Sequence, residues 1–212
     1  MSNIYRLRRS RLANEAVDEA HNEAERFAMV RAAATKLAEL FDVLHIDHRN
    51  DPNTCDTPDR VARMFVDEIM QGRFCSPPVL TDFDNVSGFD DLIVTGPIEV
   101  RSTCAHHLMP IYGEAFIGVL PTANGKIIGL SKYDRIVDYF ASRLQIQEEL
   151  VKQIGQFITD LLGFARIGSR ELYDESREWT GSRLLRLAGC ANGQQLGRNG
   201  FDRLGYKLNH SS

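Results

Sequence analysis

The chain places one thiol and two imidazoles within four positions, in the stretch Cys104-Ala105-His106-His107. A cysteine and a histidine three residues apart can reach one metal ion from a tight turn, and zinc accepts this mixed set of ligands. A catalytic zinc normally has three protein ligands and one open position for water, so this stretch supplies only part of a site. The alternative is a free cysteine beside surface histidines, because two-residue matches often arise by chance.

The second histidine favours a site that also transfers protons. Adjacent side chains in an extended turn point to opposite faces, so His106 and His107 cannot easily bind the same ion. One of them can bind the metal while the other faces a substrate as acid or base. Imidazole suits that role because its ordinary pKa is about 6.5.

Two helical patterns precede this cluster. Residues 16–44 carry apolar side chains at intervals of three and four. They are Phe27, Val30, Ala34, Leu37, Phe41 and Leu44. A second helix is predicted over 57–69, with Asp56 or Thr57 as its cap and Pro58 in its first turn. Residues 71–90 contain glycines and prolines and are interpreted as a connection.

Strand patterns then flank the cluster. Residues 91–102 and 112–122 are rich in β-branched and aromatic side chains, and 126–130 predict a short strand after an Asn-Gly turn. Two helices are expected next, the first capped by Ser131 with Asp134 completing a capping box. Their predicted inward residues are Ile136, Val137, Phe140 and Leu144, then Leu150, Val151, Ile154, Phe157, Ile158 and Leu161.

The chain divides into four predicted regions. Residues 1–15 are a polar, flexible leader, 16–90 are the helical region with its connection, and 91–163 are the catalytic core. Gly163 is the expected stop of the last helix. Residues 164–212 have neither a period of two nor one of 3.6, so this C-terminal segment is divergent and poorly specified.

Composition excludes several function classes. The formal net charge of −4 argues against a protein that coats nucleic-acid phosphates. No apolar run reaches the roughly 18 residues that predict a membrane span, and the polar N-terminus does not look like a signal peptide. Four scattered cysteines without an export signal predict a reducing cytoplasm rather than disulfides.

Four blocks of sequence resemble the GTP cyclohydrolase I family. Residues 102–110, Ser-Thr-Cys-Ala-His-His-Leu-Met-Pro, are similar to its zinc-site signature. Residues 57–62, 128–137 and 143–148 follow the family's order and spacing. The resemblance covers about residues 20–162.

The resemblance implies an activity and roles for individual residues. The family uses zinc-activated water to convert GTP to 7,8-dihydroneopterin triphosphate and formate. By resemblance, Cys104 and His107 would hold Zn²⁺, and His106 would shuttle protons at the purine. Glu148, with Gln147 beside it, would accept hydrogen bonds from guanine, because a carboxylate suits two adjacent N–H donors. Without the resemblance, Glu148 is interpreted as a solvated acid in the first turn of a helix.

The resemblance also implies a triphosphate-binding set. Ser131, Lys132, Arg135 and Arg60 would line the ribose-triphosphate side, where a few clustered cations suffice despite the net negative charge. Each has a simpler alternative: Ser131 as a helix cap, Lys132 and Arg135 as a solvated helix face, and Arg60 as the partner of Asp56.

The implied fold is α+β. N-terminal helices precede an antiparallel sheet of the tunnelling type (T-fold), which carries two long helices on one face. Family members assemble into homo-oligomers, typically decamers, with sites formed between subunits, and the same is expected here.

The sequence departs from the family at two places. Ala105 stands where the family usually has glutamate. The family also places a His-x-Cys pair, whose cysteine is the third zinc ligand, after the last long helix, and residues 164–212 lack such a pair. Cys190 is the only cysteine in that segment.

Three explanations of the second departure compete. Cys190 substitutes as the ligand, or the chain has two ligands and binds zinc weakly or not at all, or the reading frame changed near residues 165–172. Two further functions therefore remain open: a catalytically impaired relative with a binding, regulatory or assembly role, and a T-fold enzyme for a related purine or pterin.

Overall fold

A computed structural model describes residues 12–89, 93–119, 121 and 125–162, together with the backbone of 185–189. Its helices are α1 (Glu23–Val43), α2 (Thr57–Arg63), α3 (Gln71–Phe74), α4 (Ser131–Ala141) and α5 (Gln147–Leu162), and a π-helical turn over Met64–Ile69 continues α2. Its strands are β1 (Asp82–Asp84), β2 (Ile93–Cys104), β3 (Pro110–Val119), β4 (Lys126–Ile128), β5 (Leu144–Gln145) and β6 (Leu185–Gly189).

The main sheet has the strand order β5-β2-β3-β6. Strands β2 and β3 form an antiparallel hairpin in which Thr103 pairs with Pro110. Strand β6 adds antiparallel to β3, whereas β5 runs parallel to β2 and pairs Gln145 with Cys104. Strands β1 and β4 form a separate antiparallel pair. The α+β class is therefore confirmed. The short β5 follows α4 and pairs with the last two residues of β2.

The core lies between one face of this sheet and helices α4 and α5. Alternate residues of β2 and β3 point inward, as the period of a pleated strand requires. The buried set is Ile98, Val100, Ala115, Ile117, Val119, Ile128, Tyr133, Ile136, Val137, Phe140, Ala141, Leu150, Ile154, Ile158 and Leu162. The two predicted helices on one face are confirmed, with Leu144 in β5 rather than in α4.

Helix α1 begins later than the pattern predicts. Asn22 accepts a hydrogen bond from the Glu25 amide at 2.9 Å, and the Glu25 carboxylate accepts one from the Asn22 amide at 3.0 Å. This capping box fixes the helix start at Glu23, because it satisfies two amides that a helix end leaves without partners. Before it, Val17 and His21 donate backbone hydrogen bonds to Arg73 and Phe74 instead of continuing a helix.

The predicted cap of α4 is wrong. Ser131 is the first residue inside the helix, Leu130 occupies the cap position, and no side chain completes a capping bond there. At α2 the cap is Asp56, also without a side-chain capping bond, and Pro58 lies in the first turn as predicted.

Two predicted regions differ in detail from the structure, and a third lies almost wholly outside the described residues. Residues 71–90 contain α3 and β1 in addition to connection. In the predicted leader, the carbonyls of residues 12–15 accept hydrogen bonds from Arg73, Arg143 and Gln153. Of the predicted segment 164–212, only β6 lies in the described part of the chain, so its poor specification stays a prediction.

An ion pair near the end of α1 gives a pH-dependent contribution to stability. The Arg49 guanidinium donates to both oxygens of Asp42, at 2.6 and 2.8 Å. This hydrogen bonding holds the pKa of Asp42 below its ordinary value of 3.8. Because the folded pKa is lowered, the pair stabilises the fold above the unfolded pKa, and the contribution is lost as pH falls through the folded pKa.

We expect Asp42→Asn to lower the free energy of unfolding at neutral pH, with a difference from wild type that shrinks as the pH falls below about 3.8. Urea denaturation at a series of pH values measures it. Glu39→Gln is the matched control, because Glu39 pairs with Lys36 only along the exposed surface of one helix. A difference for Asp42→Asn that grows in acid would contradict the ion-pair account.

Candidate active site

The Cys104-Ala105-His106-His107 stretch forms the turn between β2 and β3. The Cys104 amide donates to the Met109 carbonyl at 2.8 Å, and the Leu108 amide donates to the Cys104 carbonyl at 2.9 Å. Leu108 closes the turn with a φ of +56°, a left-handed conformation that costs a non-glycine residue about 1–2 kcal/mol. Such strain persists only where surrounding bonds fix the backbone, and it is concentrated at functional sites.

The three chemical side chains of the turn lie together at its surface. Cys104 is half-buried, and both histidines are exposed. The Cys104 sulfur lies 3.7 Å from Nδ1 of His106, and the His106 and His107 rings are 6.3 Å apart at a tilt of 53°. The contact that the structure shows for the thiol is thus with His106, whereas His107 is the predicted second zinc ligand. The turn can present a thiol and two imidazoles to one bound group.

Strand β5 is hydrogen-bonded to the start of this turn. The Ala105 amide donates to the Gln145 carbonyl at 2.9 Å, next to the pairing of Cys104 with Gln145. The chain then passes through Ile146 into α5, which begins with Gln147 and Glu148. The predicted guanine-binding pair therefore follows directly from the strand that supports the turn, with Glu148 exposed.

The predicted triphosphate-binding residues of α4 lie in the first half of that helix, whereas its C-terminal end is the one beside the Cys-His turn. Ser102, two residues before Cys104, donates a hydrogen bond to the Ala141 carbonyl at 2.7 Å, so the C-terminal end of α4 is beside the turn. Ser131 lies ten residues earlier, about 15 Å along the helix axis. Ser131 and Lys132 therefore lie at the opposite end, whereas Arg135 lies near the middle of the helix, about 9 Å along the axis from Ala141. Ser131 and Arg135 are exposed. One copy of the chain holds these two groups of predicted site residues apart.

Arg60 lies on α2, in the N-terminal helical unit. Its guanidinium donates to Asp56 at 2.9 Å across one helical turn, and its side chain is 68% exposed. The simpler alternative for this residue is thus present in the structure, and its phosphate role stays a prediction.

The comparisons with known proteins point to one family. A sequence model of GTP cyclohydrolase I matches residues 33–168, which is more than half of the chain. The chain belongs to the GTP cyclohydrolase I family. Proteins named GTP cyclohydrolase 1 from Shewanella baltica (strain OS185) and Shewanella oneidensis are each 44% identical over 119 residues, which cover 56% of this chain and 54% of each relative. The one from Enterobacter sp. (strain 638) is 36% identical over 143 residues, 67% of this chain and 63% of the relative.

The family match covers the turn, α4 and α5, but the chain spans only about half the length of the Shewanella relatives that it matches. The predicted family and its α+β fold are therefore confirmed, with the family match beginning at residue 33. In the part of the chain that the structure describes, no helix is both long enough and apolar enough to cross a bilayer.

The donor chemistry of the turn fits the family's metal in part. A thiol and an imidazole are ligands that zinc takes, and Cys104 is a free thiol. Within the described ranges, no group of three or more His, Cys, Asp or Glu side chains is arranged to hold a metal ion. Cys190, the candidate third ligand, lies outside the described residues. The turn thus supplies two donors, and a closed three-ligand set needs a donor from beyond the described residues.

The sequence pattern gave no signal for the buried polar residues behind the turn. Leu144-Gln145-Ile146-Gln147 alternates apolar and polar residues, which suggests that Gln145 faces solvent, but its side chain is fully buried. Arg143 is 4% exposed and lies against the rings of Tyr139 and Phe140, and burial lowers its pKa. Both residues lie in the block 143–148 that resembles the family, and this resemblance was the one sequence signal that could have indicated them.

Proposed function

We propose that the chain is a zinc-dependent GTP cyclohydrolase that converts GTP to 7,8-dihydroneopterin triphosphate and formate. The observation that carries the proposal is the turn itself, in which β5 supports Cys104, His106 and His107 and leads directly into Gln147 and Glu148. A thiol and two imidazoles that precede an exposed carboxylate by one short strand support this proposal, because zinc takes thiol and imidazole ligands and imidazole transfers protons near neutral pH.

In this proposal Cys104 and His107 hold the zinc ion, with a third ligand from outside the described residues. The chemistry that zinc supplies when bound is the activation of water for attack on an electrophilic carbon, here C8 of guanine. Three backbone hydrogen bonds fix the turn that carries this donor pair.

His106 is the proposed acid–base group. Its ring is exposed, so it can face a purine, and imidazole can both give and take a proton near neutral pH. It would transfer protons at the purine while the imidazole ring of guanine opens and formate leaves. Glu148 would accept hydrogen bonds from N1–H and the exocyclic amine of guanine, with Gln147 beside it, and so orient C8 toward the turn.

The triphosphate end of the substrate would meet Ser131, Lys132, Arg135 and Arg60. Because Ser131 and Lys132 lie at the end of α4 away from the turn, we propose that the four residues act at the turn of a neighbouring copy in a homo-oligomer such as a decamer. Exposed apolar side chains support assembly: Phe27 is 67% exposed, Val43 73% and Val86 92%. A cytoplasmic location suits the proposal, since it keeps Cys104 reduced.

The alternative is a catalytically impaired relative that still assembles or binds GTP. It would follow if residues 164–212, which lack the family's His-x-Cys pair, supply no third zinc ligand. This candidate predicts oligomers without stoichiometric zinc.

The test is an assay of the purified full chain with GTP in the presence of Zn²⁺. The expected result is release of formate and a product that fluoresces as neopterin after oxidation. Stoichiometric zinc without product would contradict the proposal. No zinc and no product from a chain that still assembles would favour the second candidate.

A further inference from the structure

The residue behind the turn, Gln145, has a side chain that packing alone does not explain. It is fully buried, and its Nε2 donates to the Phe140 carbonyl at 2.8 Å and to Oε1 of Gln153 at 2.9 Å. Its own Oε1 is buried without a hydrogen-bond partner among the described residues. An unpaired buried oxygen costs stability, so an apolar side chain of the same length would relieve that penalty.

The amide orientation is fixed by its surroundings. The Phe140 carbonyl can only accept, so the nitrogen of Gln145 has to face it and the oxygen has to take the other direction. The side chain therefore connects the last turn of α4 to the second turn of α5 at one point. Both contacts lie within normal hydrogen-bond distance.

The backbone of Gln145 is bonded to the Cys-His turn and also leads into the start of α5. Its carbonyl accepts from the Ala105 amide, and it pairs with Cys104 in the sheet. Two residues later, Gln147 opens α5 and Glu148 follows. A shift of Gln145 would thus move the Cys-His turn and the guanine-binding carboxylate relative to each other.

We propose that Gln145 is a positioning residue, which holds the Cys104–His107 turn in register with the Gln147–Glu148 start of α5. The inference rests on the proposed function for its catalytic consequence. Its structural half, the fixing of the turn, holds independently of any turnover. Misplacement of reacting groups by about 1 Å can lower the rate about 100-fold. A shift of the turn relative to α5 is therefore sufficient to lower turnover by that factor.

The test is Gln145→Met in the full chain, which keeps the side-chain length and removes the amide. Three measurements are made: thermal stability, amide hydrogen exchange of peptides by mass spectrometry, and kcat and KM for GTP. We expect the peptide that covers residues 101–109 to exchange about tenfold faster or more, while a peptide from α1 exchanges as in wild type. We expect kcat to fall about 10- to 100-fold, with KM for GTP changed less than about threefold.

Gln156→Met is the matched control. Gln156 lies on the exposed face of the same helix, where it donates to Asp160 at 2.8 Å, and it should change neither readout. If Gln145→Met does not fold, Gln153→Met replaces it, because this variant removes one partner of the Gln145 amide and keeps the Phe140 contact.

The outcomes separate the two proposals. Wild-type exchange over 101–109, or wild-type kcat, in the folded variant would overturn the positioning role while the cyclohydrolase proposal stands. A wild-type chain without turnover would sink the cyclohydrolase proposal instead, and the exchange rate would then decide the positioning role. A uniform rise in exchange across the chain would show that Gln145 contributes only to overall stability, and it would also overturn the inference.

Discussion

His106→Ala is expected to lower GTP turnover by about 100- to 10,000-fold while the chain retains its zinc. General acid–base catalysis contributes about that factor, and the exposed imidazole of His106 is the group proposed for it. The variant should fold as wild type does, because the ring is exposed and the turn is held by three backbone–backbone hydrogen bonds that the substitution leaves in place. Turnover and metal content are measured on the same preparation.

His107→Ala is the paired variant, and it should lose zinc as well as activity. The two histidines are neighbours with rings 6.3 Å apart, and the thiol contacts His106 in the structure. The pair of variants therefore tests the assignment sharply. Zinc lost from His106→Ala and kept by His107→Ala would reverse the two roles.

Gly72→Ala is expected to destabilise the chain by about 1–3 kcal/mol, the usual cost of inserting a carbon into a packed contact. A Cβ on Gly72 would lie 1.9 Å from the Tyr139 carbonyl oxygen and 3.0 Å from that of Ser142. Neither oxygen can rotate away, because both belong to the backbone at the end of α4. Gly72 also donates to the Ser142 carbonyl at 2.9 Å and accepts from Arg143 at 3.0 Å, so α3 and α4 cannot separate without losing both bonds.

Gly155→Ala is the matched control for Gly72→Ala. Gly155 lies inside α5, where a Cβ would meet nothing within 4 Å, so alanine should stabilise the helix by about 0.5–1 kcal/mol. Thermal unfolding of both variants measures the effects. For a chain of this size 1 kcal/mol corresponds to about 2–4 °C in Tm. Equal melting temperatures for Gly72→Ala and wild type would refute the close approach of α3 to α4.

Periodic apolar patterns predicted the part of the fold that has one buried face. The inward residues Ile136, Val137 and Phe140 of α4, and Leu150, Ile154 and Ile158 of α5, are buried as predicted. These helices pack against a sheet of the same chain, so the pattern and the packing agree. On α1 the same pattern predicted one face, but Phe27 and Leu44 are 67% and 56% exposed. Periodicity indicates which face is apolar and does not indicate what covers it.

The apolar periodicity did not predict where elements begin and end, nor which polar side chains are buried. The start of α1 depends on the reciprocal Asn22–Glu25 bonds, and that of α4 on backbone geometry at Leu130 instead of a serine cap. Strands β1 and β5 are three and two residues long, too short for a period to develop. Gln145 and Arg143 are held by carbonyls from residues far along the chain or on a neighbouring helix, and local sequence carries no record of those partners.

The candidate site was predicted through resemblance more than through pattern. Cys104 and the two histidines were singled out by residue type and spacing, because zinc takes thiol and imidazole ligands and a second imidazole can transfer protons. Glu148 and Lys132 are ordinary helix-surface residues without the family context. The separation of Ser131 from the turn could not be predicted, since it depends on which end of α4 packs beside the end of β2.

Removal and return of the metal decides whether GTP turnover depends on a zinc ion held by Cys104. The purified full chain is stripped with a chelator, and GTP turnover is measured before stripping, after stripping and after addition of one equivalent of Zn²⁺. The account predicts about one zinc per chain at the start, loss of turnover on stripping, recovery with Zn²⁺, and neither binding nor recovery in Cys104→Ala. Turnover that survives complete removal of the metal, or full recovery in Cys104→Ala, would contradict it.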